Sequence, residues 1–147
     1  MPNYSIRSVA EDSLLAYFTA YDATLFNGCP IHKGQTNEDR NLKRLIILHA
    51  ETARAKAELG AFWLGNFEIT VKIYIYSSAY DYTLEQHRAL VEGVHAILQS
   101  NTDLQAAWTQ GTLYQSWCVD DQEAMTKEKY GNVLQYTFDA VYPPPAP

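Results

Sequence analysis

From Phe67 to Tyr76 the chain alternates without a break. Phe67, Ile69, Val71, Ile73 and Ile75 fall in one phase, and Glu68, Thr70, Lys72, Tyr74 and Tyr76 in the other. Successive side chains of a strand point to opposite faces, so this period of two predicts a half-buried antiparallel strand. Shortly after it, Thr83-Leu-Glu-Gln86 has the spacing of a capping box. There a Thr hydroxyl accepts the third helical N–H while the Gln side chain reaches back to the cap amide. The helix so opened is predicted to run to about Gln99. Leu84, Val91 and Leu98 lie on one line, and Leu90, Val94 and Ile97 widen it into a core-facing stripe. Gly93 in its middle costs about 1 kcal/mol relative to Ala, consistent with close packing on a sheet.

The rest of the chain is read around these two elements. Ser8-Val-Ala-Glu11 is a second capping box, predicting a helix over Val9–Leu25 with Leu14, Phe18, Tyr21 and Leu25 as its stripe and Tyr17 beside it. Asn27–Asn41, with Gly28, Pro30 and Gly34, has no periodicity and reads as a long loop. Leu42–Ala50 is a short Leu/Ile-rich run taken as the first strand, and Ala53–Leu59 suits a helical turn or a loop. Asn101-Thr-Asp103 can cap a short turn. Leu113–Val119 alternates Leu113, Gln115, Trp117 and Val119 against Tyr114, Ser116 and Cys118, predicting a third strand. Asp120–Tyr130 is a charged connection and Val133–Tyr142 the final strand. Pro143–Pro145 stops pairing because proline has no N–H to donate, leaving 143–147 as an exposed tail. The order α-β-β-α-β-β predicts an α+β fold. A four-stranded, mainly antiparallel sheet would be covered by helices on one face, in one domain of 147 residues.

Composition narrows the function. A net charge of −6 disfavours a nucleic-acid backbone binder, which needs a Lys/Arg surplus, and Lys43-Arg44 is too small a basic patch to replace one. Cys29 and Cys118 are too few and too distant for a disulfide framework or a zinc knuckle, and are expected to stay reduced. Arg7, Glu11 and Asp12 interrupt any secretory h-region, and no apolar run approaches the ~20 residues that span a bilayer. A soluble product, intracellular at least where it is made, is expected, with no membrane partner.

Residues with chemical potential are scattered. His87 and His95 are eight apart on the predicted second helix. That separates them by ~12 Å along the axis and about 80° around it, too far to share one ion, so both are read as solvated. His49 stands near Glu51 at a strand end. Cys29 and His32 suit a nucleophile–base pair in principle, without an activating context. Asp120, Asp121 and Glu123 lack the alternation and central Gly of an EF-hand, and read as a solvated hairpin tip. Phosphate-cradling glycine motifs and a nucleophile elbow are absent. No enzymatic activity, metal or cofactor is expected. Tyr74, Tyr76, Tyr80 and Tyr82 cluster at the end of the long strand. An apolar body with one polar tip suits a subunit or partner interface, and equally a half-covered sheet face within one monomer.

LKRLIILHAETA, GNFEITVKIYIYSSAYDYT, LEQHRALVEGVHAIL and the closing NVLQYTFDAVYPP together span Leu42 to Tyr142 and carry a resemblance. In this pattern a strand ending in small polar residues leads to a helix of the HRALVEGV kind, and a Y-x-F-x-A-x-Y strand closes the sheet. It resembles the tail-terminator (tail-completion) family of long-tailed bacteriophages. The resemblance implies a homo-oligomeric ring, a hexamer, in the tail or neck of a virion assembled in the host cytoplasm. Its partners would be the major tail protein, whose tube growth it stops, and the head connector. DNA would pass through the opening without specific binding. Asp120, Asp121 and Glu123 would then face the channel or the tube, where acidic side chains repel the duplex. A head-completion or other neck protein of the same particle is the nearest alternative. A small α+β enzyme or ligand-binding domain, with Cys29 and His32 converging on Tyr or Trp residues, is the alternative from another class.

Overall fold

The computed structural model describes residues 5–21, 26, 29–34, 43–55 and 65–142. The expected helix end at Leu25, most of the 27–41 loop, residues 56–59 of the expected helical turn and the 143–147 tail lie outside the described residues. The elements are α1 (Ile6–Thr19), β1 (Ile31–Lys33), β2 (Arg44–Ala55), β3 (Asn66–Ser78), α2 (Leu84–Gln99), α3 (Asn101–Ala107), β4 (Thr112–Met125) and β5 (Lys129–Val141). The fold is α+β, but its sheet has five strands in the order β1-β2-β3-β5-β4, rather than four. The additional strand, β1, lies inside the expected long loop and pairs parallel with β2, Ile31 opposite Ile46 and Lys33 opposite Leu48. Three residues are too short to show a period, which is why the sequence did not reveal it.

The long alternating strand is confirmed as β3, which sits at the centre of the sheet between β2 and β5. Ile69, Val71, Ile73 and Ile75 are fully buried, and their neighbours on the same face, Ile46 and Leu48 of β2 and Leu134, Tyr136 and Phe138 of β5, are buried with them. Val9, Leu14 and Phe18 of α1, Leu90, Val91, Val94 and Leu98 of α2, and Leu104 of α3 join this one core cluster. Each such aliphatic side chain contributes ~1.5–3 kcal/mol on burial. The expected capping box of α2 is present: Gln86 N–H donates to Thr83 Oγ1 at 3.1 Å and Thr83 N–H to Gln86 Oε1 at 2.8 Å.

Helix α1 begins a turn earlier than its expected box. Ser5 is the N-cap, accepting the Ser8 amide at 3.4 Å. Glu11 is therefore free of any capping role and points into the protein, where Oε2 accepts the Ala50 amide at 2.8 Å. Ala53–Ala55 continue β2 instead of forming a helical turn, pairing with Ile69, Glu68 and Phe67 beyond a bulge between Ala50 and Thr52.

The largest departure from expectation is in β4. The strand runs on to Met125, so Asp120, Asp121 and Glu123 lie within it, and the hairpin tip is at 126–128, closed by Thr126 N–H to Lys129 O at 2.9 Å. Bulges between Leu113 and Gln115 and between Cys118 and Asp120 interrupt its pairing with β5. Each inserted residue shifts the side-chain phase. Leu113 is buried as the alternation predicts, but Trp117 (40%) and Val119 (51%) are exposed. Among the described residues no helix is long and apolar enough to cross a membrane.

Candidate functional site

Helix α2 meets the β4–β5 hairpin through a chain of polar side chains that single-helix geometry does not reveal. His87 is completely buried, and its Nδ1 lies 2.8 Å from Ser77 Oγ. Its Nε2 lies 2.8 Å from Asn132 Oδ1. Asn132 Nδ2 donates to Asp121 Oδ1 at 2.8 Å, and Asp121 Oδ2 meets His95 Nε2 at 2.8 Å. His95 Nδ1 is hydrogen-bonded to the Tyr136 hydroxyl. Because the Asn132 amide already donates to Asp121, its oxygen accepts from His87 Nε2–H. That fixes the neutral tautomer whose Nδ1 accepts from Ser77. Both helix histidines are thus structural partners of the sheet, correcting the expectation that they are solvated.

The electrostatics follow from this packing. Burial holds the His87 imidazole below its ordinary range, opposed in part by Asn132 and Glu123 and assisted by Arg44 and Arg88. Burial pushes the Tyr136 hydroxyl up, with Cys118 and Asp121 adding to the effect. The Cys118 thiol, exposed on β4, is pushed up by partial desolvation, the direction opposite to what a nucleophilic cysteine requires. At the surface Arg88 grips Glu123 through Nε at 3.0 Å and Nη2 at 3.1 Å, which holds the carboxyl below the usual range. Arg88, Glu92, His95 and Asp121 rim an open cleft of about 250 Å3. Among the described residues no three His, Cys, Asp or Glu side chains are placed to hold a metal.

Of the acidic trio, Asp121 and Glu123 therefore face α2 and are occupied. Asp120 points to the other face, where its carboxylate accepts the Asp121 amide and Gln122 Nε2, each at 2.9 Å. The Cys29 thiol is buried and donates to Pro30 O at 3.6 Å, while His32 is half-buried on β1.

The tyrosines divide. Tyr80 stands in the turn after β3, 80% exposed. Tyr82 lies under Arg44, whose Cζ is 3.9 Å from the ring centroid, joining the start of β2 to the start of α2. Tyr74 and Tyr76 are half-buried on the sheet face away from the helices, rings 6.5 Å apart and 12° from parallel. Tyr76 is opposite Gly131 and covers it; a Cβ there would approach the ring at 3.3 Å. Tyr76 thus has a packing role within the monomer, and of the four tyrosines only Tyr80 is largely exposed.

The surface that sequence reasoning missed is the outer edge of β4. Tyr114, Trp117, Val119 and Met125 are exposed there, four of the five large exposed hydrophobics among the described residues. The bulges turn Trp117 and Val119 out of the phase the alternation predicts, and a bulge leaves no mark in the hydrophobic pattern.

No protein-family model matches the sequence, and no curated protein does. Among solved structures, the fold is similar to a chain in one described as the "virion of native gene transfer agent (GTA) particle". The TM-score is 0.65 at 13% identity, covering 93% of this chain and 99% of that one. At this identity the likeness is one of fold.

Proposed function

We propose that this chain is a structural protein of a phage-like virion, and within it the tail terminator. Copies would form a ring that caps the last ring of tail-tube protein, stops tube growth and presents a surface to the head connector. The observation that carries this reading is the fold likeness to a virion chain along nearly the whole length of both chains. The surface agrees with it: among the described residues, exposed aromatic and aliphatic side chains gather on the edge strand β4. In this role the protein makes no covalent bonds and needs no cofactor. DNA only passes through the ring, and the acidic balance discourages sticking. Asp120, the trio's one carboxylate turned away from the helices, is the member suited to face the channel or the tube.

Mixing purified protein with isolated tail tubes and imaging both in negative stain tests the proposal. Closed rings of six seated on tube ends are expected. A protein that stays monomeric at all concentrations and leaves tube ends bare would overturn it. Attachment to the connector with tube ends ignored would instead favour a head-completion or neck role, which the same fold likeness fits.

A further inference from the structure

We infer that Val119–Met125, the far half of β4, is a strap that lifts off β5 while the rest of the sheet stays folded. Two side chains of α2, Arg88 and His95, are the clasp that holds it down. The strap does not depend on the ring reading. Burial divides β4 in two. Its first half is anchored: Leu113 is buried, Gln115 Nε2 donates to Asp139 Oδ2 at 3.2 Å, and Gln105 Nε2 of α3 donates to Tyr114 O at 3.0 Å. The second half has no buried anchor. Every residue from Trp117 to Met125 is exposed, although Gly131, Asn132 and Leu134, opposite them on β5, are buried. The bulge between Cys118 and Asp120 breaks the ladder where the halves meet. Segments with few buried apolar contacts open locally at a fraction of the free energy of global unfolding.

Beyond its backbone pairing with β5, the strap is held through two carboxylates. Glu123 takes both Arg88 nitrogens, at 3.0 and 3.1 Å, and Asp121 meets His95 Nε2 and Asn132 Nδ2, each at 2.8 Å. The Arg88 side chain is 53% exposed, so its pair with Glu123 is weak and is screened by salt. Both ends of the strap are fastened without the clasp. The near end has the anchors of Leu113, Gln115 and Tyr114. At the far end the tip closes on itself, Thr126 Oγ1 accepting the Lys129 amide at 3.0 Å. The Ala79 amide donates to Glu128 O at 2.9 Å, which ties the tip to the end of β3. A segment fixed at both ends and weakly held between them bows outward without taking the core with it. Lifting it bares the outer backbone edge of β5 from Tyr130 to Gln135 and widens the cleft between Glu92, His95 and the hairpin. The clasp thus sets how often that edge is available.

Native-state hydrogen exchange on the full chain tests this, in the parent, in Arg88→Ala and in Arg88→Ala/His95→Ala. The amides that join β3 to β5 serve as an internal reference, so any general loss of stability is divided out. In the parent, strap amides bonded to β5 should exchange at least about tenfold faster than the reference. Arg88→Ala should raise the strap-to-reference ratio by roughly two- to fivefold, and the double variant should raise it further. Higher ionic strength should raise the ratio in the parent and leave it unchanged in Arg88→Ala. Strap and reference amides that exchange together in the parent, and speed up in step in both variants, would overturn the strap. A fast strap whose ratio neither variant changes would overturn the clasp.

Discussion

Glu11 Oε2 accepts the amide of Ala50 at 2.8 Å, at the point where β1 has run out. Gly34 N–H reaches Leu48 O at 2.8 Å as the last bond between β1 and β2, so the next amide on that side of β2 has no strand to meet. A carboxylate from the helix above takes the place of a strand carbonyl.

Removing that acceptor leaves a buried amide without a partner. Glu11→Ala should lower stability by about 1–3 kcal/mol, while Glu11→Gln, which retains an oxygen, should lose less than half as much. Urea denaturation of the two variants checks the order. Equal losses would mean that packing, not the hydrogen bond, carries the effect.

His87 makes stability depend on pH. Its folded-state affinity for a proton is reduced by burial, so the unfolded chain binds that proton more readily. Stability is then fully present above the unfolded value of about 6.5 and declines as pH falls from there toward the lower folded value. His87→Gln should be less stable at neutral pH and should show a weaker decline between pH 7.5 and 5.5. Thermal melts at the two pH values test this, and identical slopes in parent and variant would rule His87 out as the source.

Two glycines share a left-handed backbone but not a setting. Gly65 has φ +69° and a Cβ placed there would lie 2.0 Å from the Tyr142 carbonyl oxygen; Gly34 has φ +75° and open space around it. Gly34→Ala should cost about 1 kcal/mol from backbone strain alone. Gly65→Ala must also displace the chain around Tyr142, whose amide donates to Gly65 O at 2.8 Å, and should cost at least twice as much. Melting temperatures of the pair provide the comparison.

Tyr74 and Tyr76 are neighbours on one face, and Tyr76 packs over Gly131 of β5. Tyr76→Ser uncovers Gly131 and should lower monomer stability by about 1 kcal/mol. Tyr74→Ser should weaken assembly more than folding. Denaturation midpoints read beside oligomer mass separate the two, and a Tyr74 variant that loses stability with unchanged mass would place that ring wholly within the monomer.

What the sequence made legible is the centre of the molecule. β3 and α2 announce themselves because both of their patterns, the period of two and the capped stripe, come from burial against the same core. The margins were harder to read. β1 is too short for a period, and Ser5 and Ser8 are both competent caps for α1. His87 was visible in principle, since it falls in line with Val91, Val94 and Leu98 on the buried face of α2. Its partners Ser77 and Asn132 lie 10 positions back and 45 onward, and no local pattern joins them. The exposure of Trp117 follows from the one residue inserted between Leu113 and Gln115, and the occupancy of Asp121 and Glu123 follows from where α2 crosses the hairpin. Both are products of tertiary placement.

The strand order has a consequence for how the chain is made. Because β5 inserts between β3 and β4, the Ile-rich margin of β3 on that side waits until residue 129 onward has left the ribosome. Through the synthesis of both intervening helices and the whole of β4, the nascent polypeptide carries a bare, aggregation-prone border that its own last strand must seal. Truncation just before Lys129 should therefore yield insoluble material rather than a smaller folded product.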